Sequence, residues 1–413
     1  MTENLLLTRP AGAGPQSLAD YESLGGYEGL RRALAGRRPE HVLEEIERSG
    51  LRGRGGAAFP TARKWRLAAG RDAVRKIVVA NGGEHEPGSR KDRFLMERYP
   101  HEILEGLLLC AFATGAETGY VYVIEDMEGP LAGISGAIEE LRAAKLLGAN
   151  IAGSSFSFEI EVHEAPTTYV AGEETAALNS IEGKEAKPRK KPPFPGEAGI
   201  HGWPTTVDNV ETLAHAAWIG RHGGGAFAAI GTEQSKGTML FTLGDQVNRP
   251  GVYELPFGAT YRRLIDDLGG GTRSGKAIRA ILPSMSCGFL PADHLDVPIS
   301  HESLASLGTS PGCGGVRLVA EGDDVVALTL EIARFFMREQ CGQCPPCRMQ
   351  TNQFAHVLQG VANGGGPGYE QKLRKLAEFA RGKGNCSLIA MSAAPVLSAL
   401  RCFPDDFARA AGS

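Results

Sequence analysis

The chain has 413 residues, enough for two or three domains at the usual length of about 150 residues each. Its 42% hydrophobic and 22% charged residues place it among folded globular chains and exclude a disordered one. The 44 basic and 48 acidic side chains leave a formal charge of −4, so no basic excess draws the whole chain to nucleic acid or to an anionic membrane. The longest apolar stretch, residues 103–124, is broken by Glu105 and Glu117, well short of the about 20 apolar residues that span a bilayer. The first residues carry neither the basic segment nor the apolar core of a secretory signal. These features predict a cytoplasmic protein that does not insert directly into a membrane.

Residues 1–34 read as an irregular, glycine-containing N-terminal arm. A helix is predicted over 39–49, with Val42 and Ile46 on one face and Gly50 as its C-cap. Strands are predicted at 76–80, 120–124 and 156–163, and helices at 100–114 and 132–146. This strand–helix alternation argues an α/β domain with a largely parallel sheet. The Lys/Pro-rich stretch 182–195 reads as an ordered loop, because proline bars a helix through it. From about Lys236 the pattern changes to short strands (238–243, 251–254) with one helix near 260–268, which fits a small α+β module. The tail from Asp324 is helical around a cysteine-rich break, with Leu373, Leu376, Phe379 and Ala380 marking a further amphipathic helix. The division that follows is an arm (1–34), an α/β domain (35–235), an α+β module (236–322) and a helical C-terminal domain (323–413).

Five of the eight cysteines fall in the last 73 residues, a distribution unlike that of a disulfide-rich secreted chain. Cys341, Cys344 and Cys347 form C-x2-C-x2-C, and Cys386 follows 39 positions later. Three thiolates within seven residues crowd a single tetrahedral zinc, whose ligands usually come as two separated pairs. They suit the corners of a [4Fe–4S] cube closed by one remote cysteine. Zinc and purely structural thiols stand as the alternatives. Cys402 and Cys110 have apolar flanks and read as core residues, while Cys287 and Cys313 match no spacing rule.

Gly53, Arg54, Gly55 and Gly56 make a turn whose backbone amides can approach an anion, with Arg54 adding charge. A helix precedes this turn where a dinucleotide fingerprint has a strand, so a plain glycine turn is the competing reading. Gly172, Glu173 and Glu174 are ambiguous in the same way, because acidic residues favour a helix start in any case. His85 reads as an exposed loop residue and the run 187–191 as a solvated basic face, with phosphate binding as the alternative for the run.

Taken together, residues 50–65 (GLRGRGGAAFPTARKW), 81–93 (NGGEHEPGSRKDR), 169–195 (YVAGEETAALNSIEGKEAKPRKKPPFP), 202–214 (GWPTTVDNVETLA) and the cysteine set resemble the NADH-binding flavoprotein subunit of respiratory complex I and its relatives in hydrogenases and formate dehydrogenases. The resemblance runs from about Leu30 to Phe407. It implies a Rossmann-like flavin domain, a β-grasp-like module and a helical bundle carrying the cluster. It also implies that hydride passes from NADH to FMN and single electrons then pass to the [4Fe–4S] cluster.

The resemblance further implies that Gly53, Arg54, Gly55 and Gly56 cradle FMN, that Lys64, Asn81 and Glu84 lie beside its ring and phosphate, and that Gly172, Glu173 and Glu174 form the opposite wall. Asn209 and Thr212 hold the phosphate end. NADH lies among Phe59, Lys64, Glu86, Glu174, Lys191 and Phe194. Carboxylates at the ribose hydroxyls, Glu86 and Glu174, imply preference for NADH over NADPH. The implied partners are a separate thioredoxin-like [2Fe–2S] subunit and further iron–sulfur subunits of a larger complex, through which the chain would lie peripheral to a membrane.

Four positions depart from the family pattern: Gly83 where an acidic residue is usual, Asp208 in place of asparagine, Leu67 in place of an aromatic residue, and His85. A negative Asp208 beside a phosphate is unfavourable unless its side chain points elsewhere. An electron-transfer or assembly subunit that has lost NAD, or FMN as well, is the competing function.

Overall fold

The structure is a computed structural model that describes residues 4–10, 12–365 and 367–412. Its N-terminal part differs from the irregular arm expected. Two helices form there, α1 (Leu18–Ser23) and α2 (Glu28–Gly36), the first opened by a capping box between Ser17 and Asp20. Their anchor is Glu105, buried 75–84 residues away along the chain. It accepts hydrogen bonds from the Tyr21 hydroxyl (2.6 Å), the Tyr27 amide (3.0 Å) and the Leu30 amide (3.3 Å). Tyr21, Tyr27 and Leu30 are fully buried as a result. No local pattern encodes so distant a partner.

Next come α3 (Pro39–Ser49), closed by Gly50 at φ 65°, and α4 (Thr61–Ala69). Strand β1 (Ile77–Gly82) leads through α5 (Lys91–Arg98) and α6 (Pro100–Thr114) to β2 (Thr118–Ile124). Then α7 (Glu128–Ala143), β3 (Glu159–Ala165), α8 (Glu174–Ile181), β4 (Thr205–Asn209), α9 (Val210–His222) and α10 (Gly224–Ala228) follow. The four strands are all parallel, in the order β3-β2-β1-β4. Gly106 lets α6 press onto α9, since a Cβ there would stand 1.9 Å from the Leu213 carbonyl oxygen.

β1 is therefore flanked by its sequence neighbour on one side and by the last strand on the other, with Asn81 and Asn209 paired in register at the carboxyl ends. Ligands of open α/β sheets bind where the strand order reverses in this way.

A second, mixed sheet has the order β6-β5-β9-β7-β8, built from β5 (Thr238–Leu243), β6 (Gly251–Pro256), β7 (Ile278–Leu282), β8 (Leu290–Pro291) and β9 (Gly315–Ala320). Its expected helix is present but wound as a π-helix over Arg263–Leu268, drawn out by bonds from the Gly269 and Gly271 amides to Leu264 and Ile265. A short α11 (His301–Ser306) precedes β9.

The C-terminal part is helical: α12 (Val325–Glu339), α13 (Pro345–Ala362), α14 (Tyr369–Ala380), α15 (Leu388–Cys402) and α16 (Pro404–Ala410). Its core includes Val170 of the first unit and Ala280, Leu282 and Val319 of the second sheet, so it is packed onto both. On α14, Leu373, Ala377 and Ala380 are buried, whereas Phe379 is 51% exposed and not in the core as its spacing predicts. Lys383 places its ammonium 3.9 Å above the exposed Phe379 ring, a favourable contact.

Candidate functional site

The glycine turn lies against the head of α9. A Cβ on Gly55 would stand 3.3 Å from the Asn209 Cβ, and the Arg54 amide donates to Thr212 Oγ1 (2.9 Å). Gly55 and Gly56 are exposed, and their amides make no hydrogen bond among the described residues. Asn209 caps α9 by accepting from the Glu211 amide, and its own amide donates to Asp92 (2.7 Å). Two free amides beside the positive end of a 13-residue helix suit a phosphate.

Arg54 does not lend its charge to that surface. Its guanidinium is buried, donating to the carbonyls of Arg52, Lys236 and Thr238 and standing 4.9 Å over the Phe257 ring. Burial brings its pKa down to about 10. Arg54 thus ties the glycine turn to the second sheet through its side chain.

At the end of β1, Asn81 bridges two walls: its amide donates to the Gly172 carbonyl (3.0 Å) and its carbonyl accepts from Gly83 (3.0 Å). Gly172 is a forced choice, because a Cβ would sit 2.7 Å from the Gly83 oxygen. Glu84 is buried and faces inward, accepting from Ser89 and from the amides of Asp92 and Arg93 at the start of α5. His85 is not the exposed residue expected. Its ring packs near Gly172, its Nε2 is buried without a partner, and burial pushes its pKa down to about 4.

The opposite wall is the turn leading into α8. Glu173 caps that helix through the amides of Thr175 and Ala176, and its other oxygen accepts from Lys191 (2.8 Å). Lys191 also donates to Glu174 (3.0 Å), and Lys64 lies 3.7 Å from Glu174. The run 187–191 is therefore more than a solvated face. Arg189 is pinned to Asn179, Gly199 and Glu182, while Lys190 stays exposed.

Phe59 and Phe194 are 44% and 49% exposed, unusual for large apolar rings. Asp208 does not confront a phosphate. Its carboxylate is buried, accepts from the Trp65 indole and lies 3.4 Å from Lys64, so it turns away from the glycine turn. Beneath the site lies a group that sequence reasoning missed. Lys91, fully buried, contacts Asp92 (2.6 Å) and Glu211 (2.9 Å). Within the string SRKDR it has the look of surface charge, and no local signal marks it as buried.

Cys341, Cys344, Cys347 and Cys386 line one cavity with Val170, Pro188, Leu388 and Ile389. The Asn385 amide points at the Cys344 sulfur (3.4 Å). Among the described residues, no three Cys, His, Asp or Glu side chains converge closely enough for a single ion. Four thiols spread around an apolar cavity suit the separated irons of a cube better than one zinc. Burial and the neighbouring thiols push Cys347 up to about 12, and burial raises Cys386 to about 11. Such a donor set becomes thiolate when a metal cation supplies the positive charge. Cys402 lies outside this cavity, near the Phe289 carbonyl, and Cys110 is fully buried.

Comparison with known proteins matches residues 46–218 to the Nuo51 FMN-binding domain and residues 327–410 to the NADH-ubiquinone oxidoreductase-F iron–sulfur binding region. The chain is 39% identical to an NADH-quinone oxidoreductase F subunit (number 2) of Rhizobium meliloti (strain 1021), over 94% of this chain and 93% of that protein. It is 38% identical to the NADH-quinone oxidoreductase F subunit of Escherichia coli (strain K12), over 95% and 89%. Among solved structures, the NAD+-reducing [NiFe]-hydrogenase is similar with TM-scores of 0.81 in the air-oxidized state and 0.85 in the H2-reduced state, at 32% and 30% identity. The two matches cover 90% and 99% of this chain, which spans 63% and 67% of those hydrogenase chains. The chain belongs to the family of the NADH-oxidising flavoprotein subunits of NADH-quinone oxidoreductases, with FMN and a [4Fe–4S] cluster as its cofactors.

Proposed function

We propose that the cleft bounded by the Gly53–Gly56 turn, Asn81 and the Gly172–Glu174 turn is where this NADH dehydrogenase subunit does its chemistry, and that residues 35–235, 236–322 and 323–413 are its FMN- and NADH-binding domain, β-grasp-like module and cluster domain. FMN supplies a hydride acceptor that can give up its two electrons one at a time. The protein's part is to bind, orient and exclude water; hydride transfer between stacked rings needs no protein acid or base. The amides of Gly55 and Gly56, with Asn209 and the head of α9, hold the phosphate. Thr212 acts through the Arg54 amide, and Glu84 acts by fixing the start of α5. Asn81, Lys64 and Gly172 border the ring. Glu86 and Glu174 face the nucleotide ribose, Phe59 and Phe194 offer it apolar surface, and Lys191 holds Glu173 and Glu174 in place.

One observation carries this reading: two short segments each touch both sites. Residues 169–174 put Val170 on the cysteine cavity and Glu173 and Glu174 on the cleft, while residues 188–191 put Pro188 on the cavity and Lys191 on the cleft. A flavin in the cleft and a cluster on the four cysteines would thus share these two segments as walls.

Relatives named as subunits of larger complexes support the presence of partner subunits; in this reading they are a separate thioredoxin-like [2Fe–2S] subunit and further iron–sulfur subunits, in a cytoplasmic position peripheral to any membrane. No single helix among the described residues is long and apolar enough to cross a membrane. The test is an anaerobic absorption spectrum before and after NADH, followed by EPR. Bleaching of a flavin band and appearance of a reduced-cluster signal are expected. A protein that dithionite reduces and NADH leaves untouched would refute NADH oxidation in favour of an electron-transfer subunit.

A further inference from the structure

One oxygen of Glu86 is held by residues from outside the α/β unit and the other by a residue within it. One of its oxygens, Oε1, accepts from the Ser284 hydroxyl, from the Ser286 amide (2.8 Å) and from the Ser286 hydroxyl (2.8 Å). The other, Oε2, accepts among the described residues only from the Tyr169 hydroxyl (2.6 Å). An oxygen with three donors is saturated, whereas one with a single donor keeps acceptor capacity.

The serines lie in the loop between β7 and β8, and that loop has little room to move. A Cβ on Gly312 would stand 2.4 Å from the Ser284 Cβ, and the Cys313 sulfur lies 3.3 Å from the Ser284 hydroxyl. The same Gly312–Cys313 segment abuts Gly56, 3.8 Å from where its Cβ would be. Tyr169 is fixed from a third direction, its amide donating to Glu339 (3.0 Å) and its ring edge-on to Phe335 and Phe336 of α12.

We infer that Ser284 and Ser286 are positioning residues for nucleotide recognition: the second module clamps one oxygen of Glu86 so that the other faces the nucleotide ready to accept. The inference rests on the reading that Glu86 meets the nucleotide ribose. A free glutamate side chain loses rotamer freedom when it binds; one already held loses none, and that difference appears as affinity. A fixed carboxylate also repels a 2′-phosphate from a defined place.

The experiment is a mutant cycle on the FMN- and cluster-loaded protein, with flavin content and melting temperature measured for each variant. The double variant Ser284→Ala/Ser286→Ala should raise the KM for NADH about tenfold, the loss of roughly one charge-assisted hydrogen bond, with kcat within about twofold. It should also narrow the preference for NADH over NADPH. In a Glu86→Ala background the serine substitutions should add nothing.

If Glu86→Ala leaves the KM unchanged, Glu86 is not at the nucleotide, and the inference falls with that reading. If Glu86→Ala raises the KM and the serine variant does not, the reading stands and the clamp is refuted. Additive effects would mean that the serines act by another route, which overturns the inference equally. Should the double variant fail to hold FMN, Ser286→Ala alone carries the same test, because the Ser286 amide remains to hold the loop.

Discussion

Replacing Lys91 by methionine removes its ammonium from a fully buried carboxylate cluster while nearly preserving volume. In the native protein burial alone would raise Glu211; the nearby Lys91, with His215 and Arg54, overrides burial and brings its pKa down to about 2. Without Lys91, Glu211 must either stay charged with only the Leu240 amide (2.8 Å), His215 and the distant Arg54 to answer it, or take up a proton. Protonating a carboxylate of ordinary pKa 4.5 at pH 7 costs about 3 kcal/mol. That sum agrees with the about 3–5 kcal/mol typical of breaking a buried pair. Asp92, pushed up to about 7 by burial against the pull of Lys91, can protonate at neutral pH at little further cost.

The sign with pH follows. The depressed pKa of Glu211 contributes stability that is present above about 4.5 and is lost as pH falls towards 2. Lys91→Met should therefore be about 3–4 kcal/mol less stable than the native chain at pH 7, with the gap shrinking as the pH approaches 4. Urea unfolding of the apoprotein at pH 7 and pH 4.5 measures it. A gap below about 1 kcal/mol at pH 7, or one that does not change with pH, would refute the account.

Cys344→Ala should abolish the [4Fe–4S] EPR signal while NADH still bleaches the flavin; an intact cluster spectrum would contradict the ligand set. Gly172→Ala must push apart the Gly83 and Gly172 turns, since its Cβ would lie 2.7 Å from the Gly83 oxygen and 3.0 Å from the His85 ring. FMN affinity, read by fluorescence titration, should fall about tenfold for an overpacking cost of about 1–2 kcal/mol, and unchanged affinity would exclude these turns from the flavin site. His85 and His301 are both held down to about 4, chiefly by burial. Their contribution is full above pH about 6.5 and is lost as pH falls towards 4, about 3 kcal/mol each in apoprotein melts, and His85→Met should flatten that part of the acid limb.

Much of the fold was readable because its signals are local. Helices 39–49 and 100–114 fall where a proline opens and a glycine closes the apolar period. The strands β1, β2 and β5 fall on short apolar runs. The N-terminal helices were missed because their apolar residues are tied to Glu105, which local periodicity cannot register. For the candidate site, the sequence named residues by type and resemblance but could not say which way they point. Arg54 looked like an anion ligand and instead binds the carbonyls of Arg52, Lys236 and Thr238, the last in the second sheet. Asp208 looked like a hindrance and instead meets Trp65 and Lys64. His85 looked exposed and is packed against Gly172.

What the sequence determined by itself was chemistry held in short windows: the C-x2-C-x2-C thiols with their remote fourth, the glycine turn, and the strand–helix alternation of an α/β domain; that Asn209 ends a strand beside Asn81 came only with the fold. Tertiary structure alone decided how charges are spent. Glu86, Lys91, Arg54 and Asp208 all lie among partners distant in sequence, up to 200 residues away for Glu86 and Ser286. The physical reason is desolvation. A charge removed from water must be answered by whatever donors or counter-charges the fold brings to it, and periodicity and spacing carry no information about residues that meet only when the chain has folded.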